Sequence, residues 1–373
     1  MKPNHPIRIL QIVDNLSTIS GVSSMIMNLY RSIDRSQVQF DFLVSETREQ
    51  SYADEVISLG GHIFYTGNPL SIKSFYRANH NIKSFFQNKS NKYYAVHLHS
   101  PTISEFTIRY AKKYGVKHII VHSHSTMTST NRVKALVNSI LMLHVVKYSN
   151  HYWACSNEAA RFLYGANYKS LKGFELIYNA VDIDLYKFNP ILRKRIRTQL
   201  MLDGFIAIAH ISNFSPIKNH MFLIDVIQRT PSKYKFIFVG DGPEKEKFEK
   251  ALKENKCYEK CVFLGRREDV NIILQGVDLV ILPSIKEGLP VTIVEAQAAG
   301  LPCLISDSIT KDVKVNKVDY LSLNAQKWSD KIMRFIGLSD EKRNEASNQF
   351  SLSQFNIENE SKRVERLYLD MGG

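Results

Sequence analysis

Cysteine and long apolar runs are both scarce in this chain, and each scarcity excludes something. The cysteines are Cys155, Cys257, Cys261 and Cys303. They form no CxxC pair and no metal-ligand pattern, which argues against a disulfide framework and for a reducing, cytoplasmic setting. No run approaches the roughly 20 apolar residues that a membrane-spanning helix needs. The best candidate, ALVNSILMLHVV (135–146), is interrupted by Asn138, Ser139 and His144. The opening MKPNHPIRILQIVDN lacks the apolar core of a signal peptide, so none is expected. No G-x-G-x-x-G follows any apolar run, which removes the main support for a nicotinamide oxidoreductase. Acid is scarce in one region. Between Leu70 and Asn150 there are twelve Lys or Arg and a single acid, Glu105. Most of the formal net charge of +13 therefore lies in that one stretch.

What is present describes a folded α/β protein. A hydrophobic content of 44% with 23% charged residues is that of a soluble globular chain, and 373 residues are too many for one ordinary core. Short apolar runs alternate with helical patterns. IRILQIVD (7–14), QFDFLVS (39–45), GHIFYTG (61–67), YAVHLHS (94–100), VKHIIVHS (116–123) and HYWACSN (151–157) read as strands of a first half. FIAIAHIS (205–212), YKFIFVGDG (234–242), KCVFLGR (260–266), VDLVILPS (277–284) and LPCLISD (301–307) read as strands of a second. Helices are expected between them, including 71–90, 103–114, 131–148, 219–229 and 243–255. Such alternation predicts parallel sheets, which bind ligands beyond the strand carboxyl ends. The pattern lapses at AVDIDLYKFNP (180–190), the expected linker, and the tail 353–371 reads as a helix.

The stretch EGLPVTIVEAQAAGLP carries the most chemistry. Glu287 precedes a Gly288-Leu289-Pro290 turn, and a helix is predicted to start near Pro290, because proline suits a first helical position. Strand, turn and helix together present backbone N–H groups at a helix N-terminus, which favours an anion such as a diphosphate. Glu295 lies about one and a half turns into the helix. Two carboxylates flanking a phosphate cradle suit a ligand with hydroxyls at both ends of a diphosphate, which describes a sugar nucleotide. Lys218, in HISNFSPIKNH (210–220), is placed to reach a phosphate from another strand-end loop. VHSHS (121–125) brings His122 and His124 to a strand end, where only one of the two is expected to face the ligand. No third ligand at metal-site spacing accompanies them. HLHS (97–100) adds His99 as an acceptor-side candidate. The run SIKSFYRANHNIKSFFQNKSNKYY (71–94) mixes Lys73, Arg77, Lys83, Lys89 and Lys92 with Phe and Tyr. That mixture suits an anionic membrane surface. A solvated helix face is the plainer reading, and no nucleic-acid module accompanies the basic residues.

These motifs resemble family 4 of the retaining glycosyltransferases, whose signature is E-x7-E, and the resemblance runs the length of the chain. It implies the GT-B fold: two Rossmann-like, doubly wound domains facing across a cleft. It places the acceptor-side domain at 1–181, with a C-terminal helix within 352–373 packing back on it, and the donor-binding domain at 182–351. It implies that Glu287 holds donor-sugar hydroxyls and Glu295 the ribose. Lys218 and the amides of Gly288 and Leu289 would stabilise the departing diphosphate. His124 matches the histidine near the donor sugar better than His122 does. The family's phosphate loop usually reads G-R-x-x-x-x-K-N; here Lys218 and Asn219 match and Asn213 replaces the arginine. Gly21 stands where relatives carry two adjacent glycines, and Arg266 follows a strand end that borders the base. The implied activity is a metal-independent, hexosyltransferase-type transfer with no cofactor, from a nucleotide-diphosphate sugar, a UDP-sugar, to a saccharide. The acceptor would be a lipid-linked intermediate of capsule or exopolysaccharide assembly, and the enzyme peripheral on the inner face of the cell membrane. Asn213 and the single Gly21 motivate a rival, a non-catalytic partner subunit of the same fold. A sugar-nucleotide epimerase is a further alternative.

Overall fold

A computed structural model describes residues 5–18, 20–46, 50–67, 72–99, 104–124 and 146–372. The helix expected over 131–148 and the apolar run 135–146 lie outside these, apart from their last residues. The chain divides into two compact units, Met1–Ala180 with Ile357–Gly373, and Val181–Asn356.

The first unit holds a seven-stranded parallel sheet of order β3-β2-β1-β4-β5-β6-β7. Its strands are β1 (Ile7–Val13), β2 (Val38–Val44), β3 (Ile63–Tyr65), β4 (Ala95–Leu98), β5 (His118–Ser123), β6 (His151–Ala154) and β7 (Phe174–Leu176). A strand with helices on both faces has no solvent-facing side, and every residue of β2 is buried. Ile9 and Val13 of β1 enter one core cluster, Leu10 and Ile12 the other. The helix Ile357–Leu369 belongs to the first of these clusters through Ile357, Val364 and Tyr368. Its Tyr368 ring lies 5.2 Å from Trp153 and 5.8 Å from Phe40. Glu360 accepts a 2.8 Å hydrogen bond from the Tyr178 amide, tying the same helix to the chain just beyond β7.

The second unit repeats the design with six parallel strands in the order β10-β9-β8-β11-β12-β13. They are β8 (Ile206–Ile211), β9 (Tyr234–Val239), β10 (Cys261–Gly265), β11 (Leu279–Leu282), β12 (Cys303–Ser306) and β13 (Val318–Leu321). β13 escapes sequence reading because it is an edge strand. Only Val318 of its four residues is fully buried, so it shows no apolar run. In both sheets the strand order reverses beside the first strand, between β1 and β4 and between β8 and β11. Such switch points open a crevice at the strand carboxyl ends. The second one is braced by charge. Asp278, just before β11, takes Arg193 at 2.5 Å and Arg197 at 3.0 Å, and accepts the Ala207 amide at 2.8 Å. One buried carboxylate thus joins the helix Pro190–Gln199 to the starts of β8 and β11.

Candidate active site

Four loops leave the carboxyl ends of β8, β9, β10 and β11 and converge in the second unit. The loop after β11 descends through Glu287, Gly288 and Leu289 into the helix Val291–Ala298. Pro290 stands one position before the expected one, at the N-cap, with φ −72° and ψ 110°. No side chain caps the helix, so its first amides lack the usual Ser, Thr or Asp acceptor. The loop after β8 is held against it. The Ile285 amide donates to the Ile217 carbonyl at 2.9 Å, and Asn219 Nδ2 to the Pro283 carbonyl at 3.2 Å. Asn219 adopts the left-handed conformation, φ 58°. Lys218 next to it extends to Glu287, with Nζ 2.5 Å from Oε1.

The loop after β9 is pressed onto the one after β8, and this explains the glycines of FVGDG. A Cβ on Gly240, at φ +132°, would stand 1.9 Å from the Ser212 carbonyl oxygen; one on Gly242 would stand 2.6 Å from that of Phe214. The Phe214 amide donates to the Asp241 carbonyl at 3.0 Å. Beneath the loop, Phe214 stacks on His220 with centroids 4.0 Å apart, and Ser212 Oγ lies 3.0 Å from His210 Nε2. Asn213 itself is exposed, and its Oδ1 accepts from Ser215 Oγ at 3.0 Å. Arg266 is exposed beyond β10.

Glu295 lies in the second turn of the helix Val291–Ala298. Tyr186 donates to its Oε1 at 2.8 Å. Burial raises the Glu295 pKa, and the tyrosine hydrogen bond offsets part of that rise. Tyr186 comes from the short helix Ile183–Tyr186, inside the stretch read as a linker. Nothing in the sequence marks it, because its partner is 109 residues away.

In the first unit the candidates are placed differently. Gly21 is the first residue of the helix Gly21–Ser32, and Ser20 caps it by accepting from the Ser23 amide. A Cβ on Gly21 would meet nothing within 4 Å, so the fold itself does not demand glycine there. His99 and His124 meet at 2.8 Å. The expectation that His122 and His124 divide between opposite faces is corrected. Residues two apart on a strand share a face, and the two rings lie 4.0 Å apart. His97 and His99 of the neighbouring strand lie beside them, and His97, His99 and His122 each place one nitrogen within 4.8 Å of the others. Spacing along the chain hides this group because its members come from two strands. Lys218, Glu287, Gly288, Leu289, Glu295, Asn213 and Arg266 thus belong to the second unit, and Gly21, His99 and His124 to the first.

Two parallel α/β sheets, each with a carboxyl-end crevice at its switch point, are the components of the GT-B fold of glycosyltransferases. The architecture matches crystal structures of that kind. Anabaena Alr3699/HepE, solved in complex with UDP and glucose, superposes with a TM-score of 0.81 over 98% of this chain and all of that one, at 17% identity. The family model for glycosyl transferases group 1 matches residues 206–337, and that for glycosyltransferase family 4 residues 19–185. The chain is 32% identical to EpsF of Bacillus subtilis (strain 168), named as a glycosyltransferase, over 90% of this chain and 89% of that one. It is 25% identical to the UDP-Gal:α-D-GlcNAc-diphosphoundecaprenol α-1,3-galactosyltransferase of Escherichia coli, over 76% and 77% of the two chains. The chain belongs to the family-4 glycosyltransferases.

Proposed function

We propose that the protein is a retaining, metal-independent hexosyltransferase that takes its sugar from a UDP-sugar. The acceptor in this reading is a lipid-linked saccharide of a surface polysaccharide, at the inner face of the cell membrane. The observation that carries the proposal is the gathering of Lys218, Glu287 and an uncapped helix start at the β8/β11 switch point. Lys218 and the amides around Gly288 and Leu289 neutralise the diphosphate as it departs, which is stabilisation of developing charge. That positive field is the reason no metal ion is invoked. Glu295 accepts from the ribose hydroxyls and Glu287 from those of the donor sugar. Arg266 and Asn213 border the base and the phosphates. Gly21 serves the donor phosphates, His124 the donor sugar, where it hydrogen-bonds a saccharide hydroxyl, and His99 the acceptor side. The acceptor attacks on the face the diphosphate leaves, which retains configuration.

The E. coli relative supports the donor and acceptor classes by its name, an α-1,3-galactosyl product from UDP-Gal on a diphosphoundecaprenol-linked sugar. UDP with glucose in the Anabaena structure supports the donor class further. Among the described residues no helix is long and apolar enough to cross a membrane. In this reading contact with the membrane is assigned to the basic helix Ile72–Lys89, whose Phe75, Tyr76, Arg77 and Lys83 are exposed.

Thermal unfolding with UDP, GDP, ADP and CMP tests the donor site. A ligand at about 100 times its Kd stabilises by roughly 2.7 kcal/mol. Stabilisation by UDP alone, abolished in Glu295→Ala, is expected. No response to any nucleotide would favour the non-catalytic subunit and put the weight on exposed Asn213. Transfer that continues in EDTA, with an α-linked product, is expected of the intact enzyme.

A further inference from the structure

Six side chains of the first unit form one unbroken hydrogen-bonded chain at the ends of β4 and β5. His124 Nε2 lies 2.8 Å from His99 Nδ1, and His99 Nε2 lies 2.7 Å from Gln11 Oε1. Gln11 Nε2 donates to the Tyr368 hydroxyl at 3.2 Å, and that hydroxyl lies 2.7 Å from His97 Nδ1. His97 Nε2 ends the series 3.2 Å from His122 Nδ1. His122 Nε2 is buried without a partner. Gln11, His97 and His122 are each no more than 3% exposed, and Tyr368 is 1%.

A dry site keeps imidazoles neutral. Burial holds His97, His99 and His122 well below the usual histidine range and His124 down at about 3. Among the described residues His124 and His151 add to the lowering at His97. A neutral imidazole has one N–H and one lone pair, so every joint of the chain needs one donor and one acceptor. The choice at any joint then fixes all the others. With Gln11 donating to Tyr368 and accepting from His99, His99 carries its proton on Nε2. Its Nδ1 must accept, so His124 donates from Nε2. On the other side Tyr368 gives its own proton to His97 Nδ1, and His97 donates from Nε2 to His122. All four rings are then Nε2–H. Turning the amide over makes all four Nδ1–H. A mixed set leaves two donors or two acceptors facing each other, or strands the Tyr368 O–H without an acceptor, away from water.

We propose that Gln11 and Tyr368 are positioning residues that lock His97, His99, His122 and His124 into one shared ring tautomer. His124 then offers its remaining nitrogen, Nδ1, as a hydrogen-bond acceptor. The consequence for catalysis rests on the reading of His124 as a transfer-site residue: it accepts from a saccharide hydroxyl and does not donate to one. The tautomer lock itself does not depend on that reading. The short nitrogen–nitrogen distances are those of hydrogen bonds, so the cluster is assigned to this lock and not to a cation.

Histidine labelled selectively with 15N, in the full chain at pH 7.5, reports the tautomer of each ring through long-range proton–nitrogen correlation. Single substitutions assign the signals. Four Nε2–H rings and no imidazolium are expected. Four Nδ1–H rings would support the lock, with the Gln11 amide turned, and overturn the acceptor role of His124. A mixed set, an imidazolium, or stoichiometric zinc in the purified protein would overturn it. Tyr368→Phe keeps the packing and removes the central joint. Tautomer averaging is expected as far as His124, which Tyr368 does not touch; an unchanged His124 would reject the positioning role. Uniform tautomers in a protein without transferase activity would sink the functional reading alone, and mixed tautomers in an active enzyme the lock alone.

Discussion

Lys218 Nζ lies 2.5 Å from Glu287 Oε1, in a pair whose side chains are 20% and 14% exposed. The cation assigned to the diphosphate is thus already partnered by the carboxylate assigned to the sugar. Under the proposed roles a nucleoside diphosphate would compete with Glu287 for the lysine, whereas a full sugar nucleotide would offer hydroxyls that give Glu287 new donors. In the proposed reading the pair would therefore discriminate between donor and product.

Glu287→Gln removes the competitor and is expected to tighten UDP binding several-fold while lowering the transfer rate. Lys218→Met removes a charge-assisted hydrogen bond, worth about 1.5–3 kcal/mol, and should weaken UDP roughly 10- to 100-fold. Titration calorimetry with free UDP measures both. Weaker UDP binding by Glu287→Gln would reject the competition.

Tyr186 and Glu295 carry a pH signature. Because burial raises the Glu295 pKa, its ionisation opposes folding. Its contribution is favourable below the ordinary carboxylate range and is lost as pH rises through the raised value. Tyr186→Phe withdraws the bond that offsets this, raising the pKa further. The variant is expected to lose about 1.5–3 kcal/mol at pH 8 and distinctly less at pH 4.5. Its UDP affinity should fall more at pH 6 than at pH 8, since the ribose needs an ionised acceptor. Denaturant titrations at the two pH values decide the first point; equal losses would show that the bond does not act through the charge.

How much of this was legible in the sequence depends on distance along the chain. The alternation of apolar runs with helical periods showed two parallel α/β halves, and the E-x7-E stretch showed its strand, turn and helix, because those patterns are local. Tyr186 lay hidden because an interaction across 109 residues leaves no periodicity. β13 lay hidden because an exposed edge strand has no apolar run. The histidine chain was misread for a simpler reason: His122 and His124 share a face, and their partners Gln11, His97, His99 and Tyr368 come from three other elements. Asp278 lies within the run VDLVILPS, and nothing local there marks it as the partner of Arg193 and Arg197.

The glycines divide into those the fold needs and those it does not. Gly240→Ala forces a side chain into φ +132° and to 1.9 Å from the Ser212 carbonyl. Strained backbone alone costs about 1–3 kcal/mol, and the clash displaces the loop that carries Lys218. Lower melting temperature and weaker UDP binding are expected together. Gly21→Ala, with open space around its Cβ and a helical position, should leave stability within about 1 kcal/mol of the parent or above it. If Gly21 admits a ligand close to the backbone, that variant loses transfer activity without losing stability. Calorimetric melting beside an activity assay separates the cases, and a stable, fully active Gly21→Ala would remove Gly21 from the site.

The basic helix of the first unit offers the last test. Ala78, Ile82 and Phe86, four residues apart, are buried in the core. That leaves Phe75 and Tyr76 exposed with Arg77 and Lys83. Aromatic rings beside cations are the composition of an interfacial helix. Each basic residue near an anionic surface contributes about 1 kcal/mol, screened over about 8–10 Å at physiological salt. Reversing both charges, in Arg77→Glu with Lys83→Glu, should therefore lower binding to vesicles containing phosphatidylglycerol by at least about 10-fold. Binding to neutral vesicles should not change, and raising the salt should erase the difference. Both positions are exposed, so the fold is expected to persist, and the melting temperature checks it. Flotation with equal recovery on anionic and neutral vesicles would assign the excess charge to solvation alone. The acceptor would then have to reach the enzyme by some route other than this face.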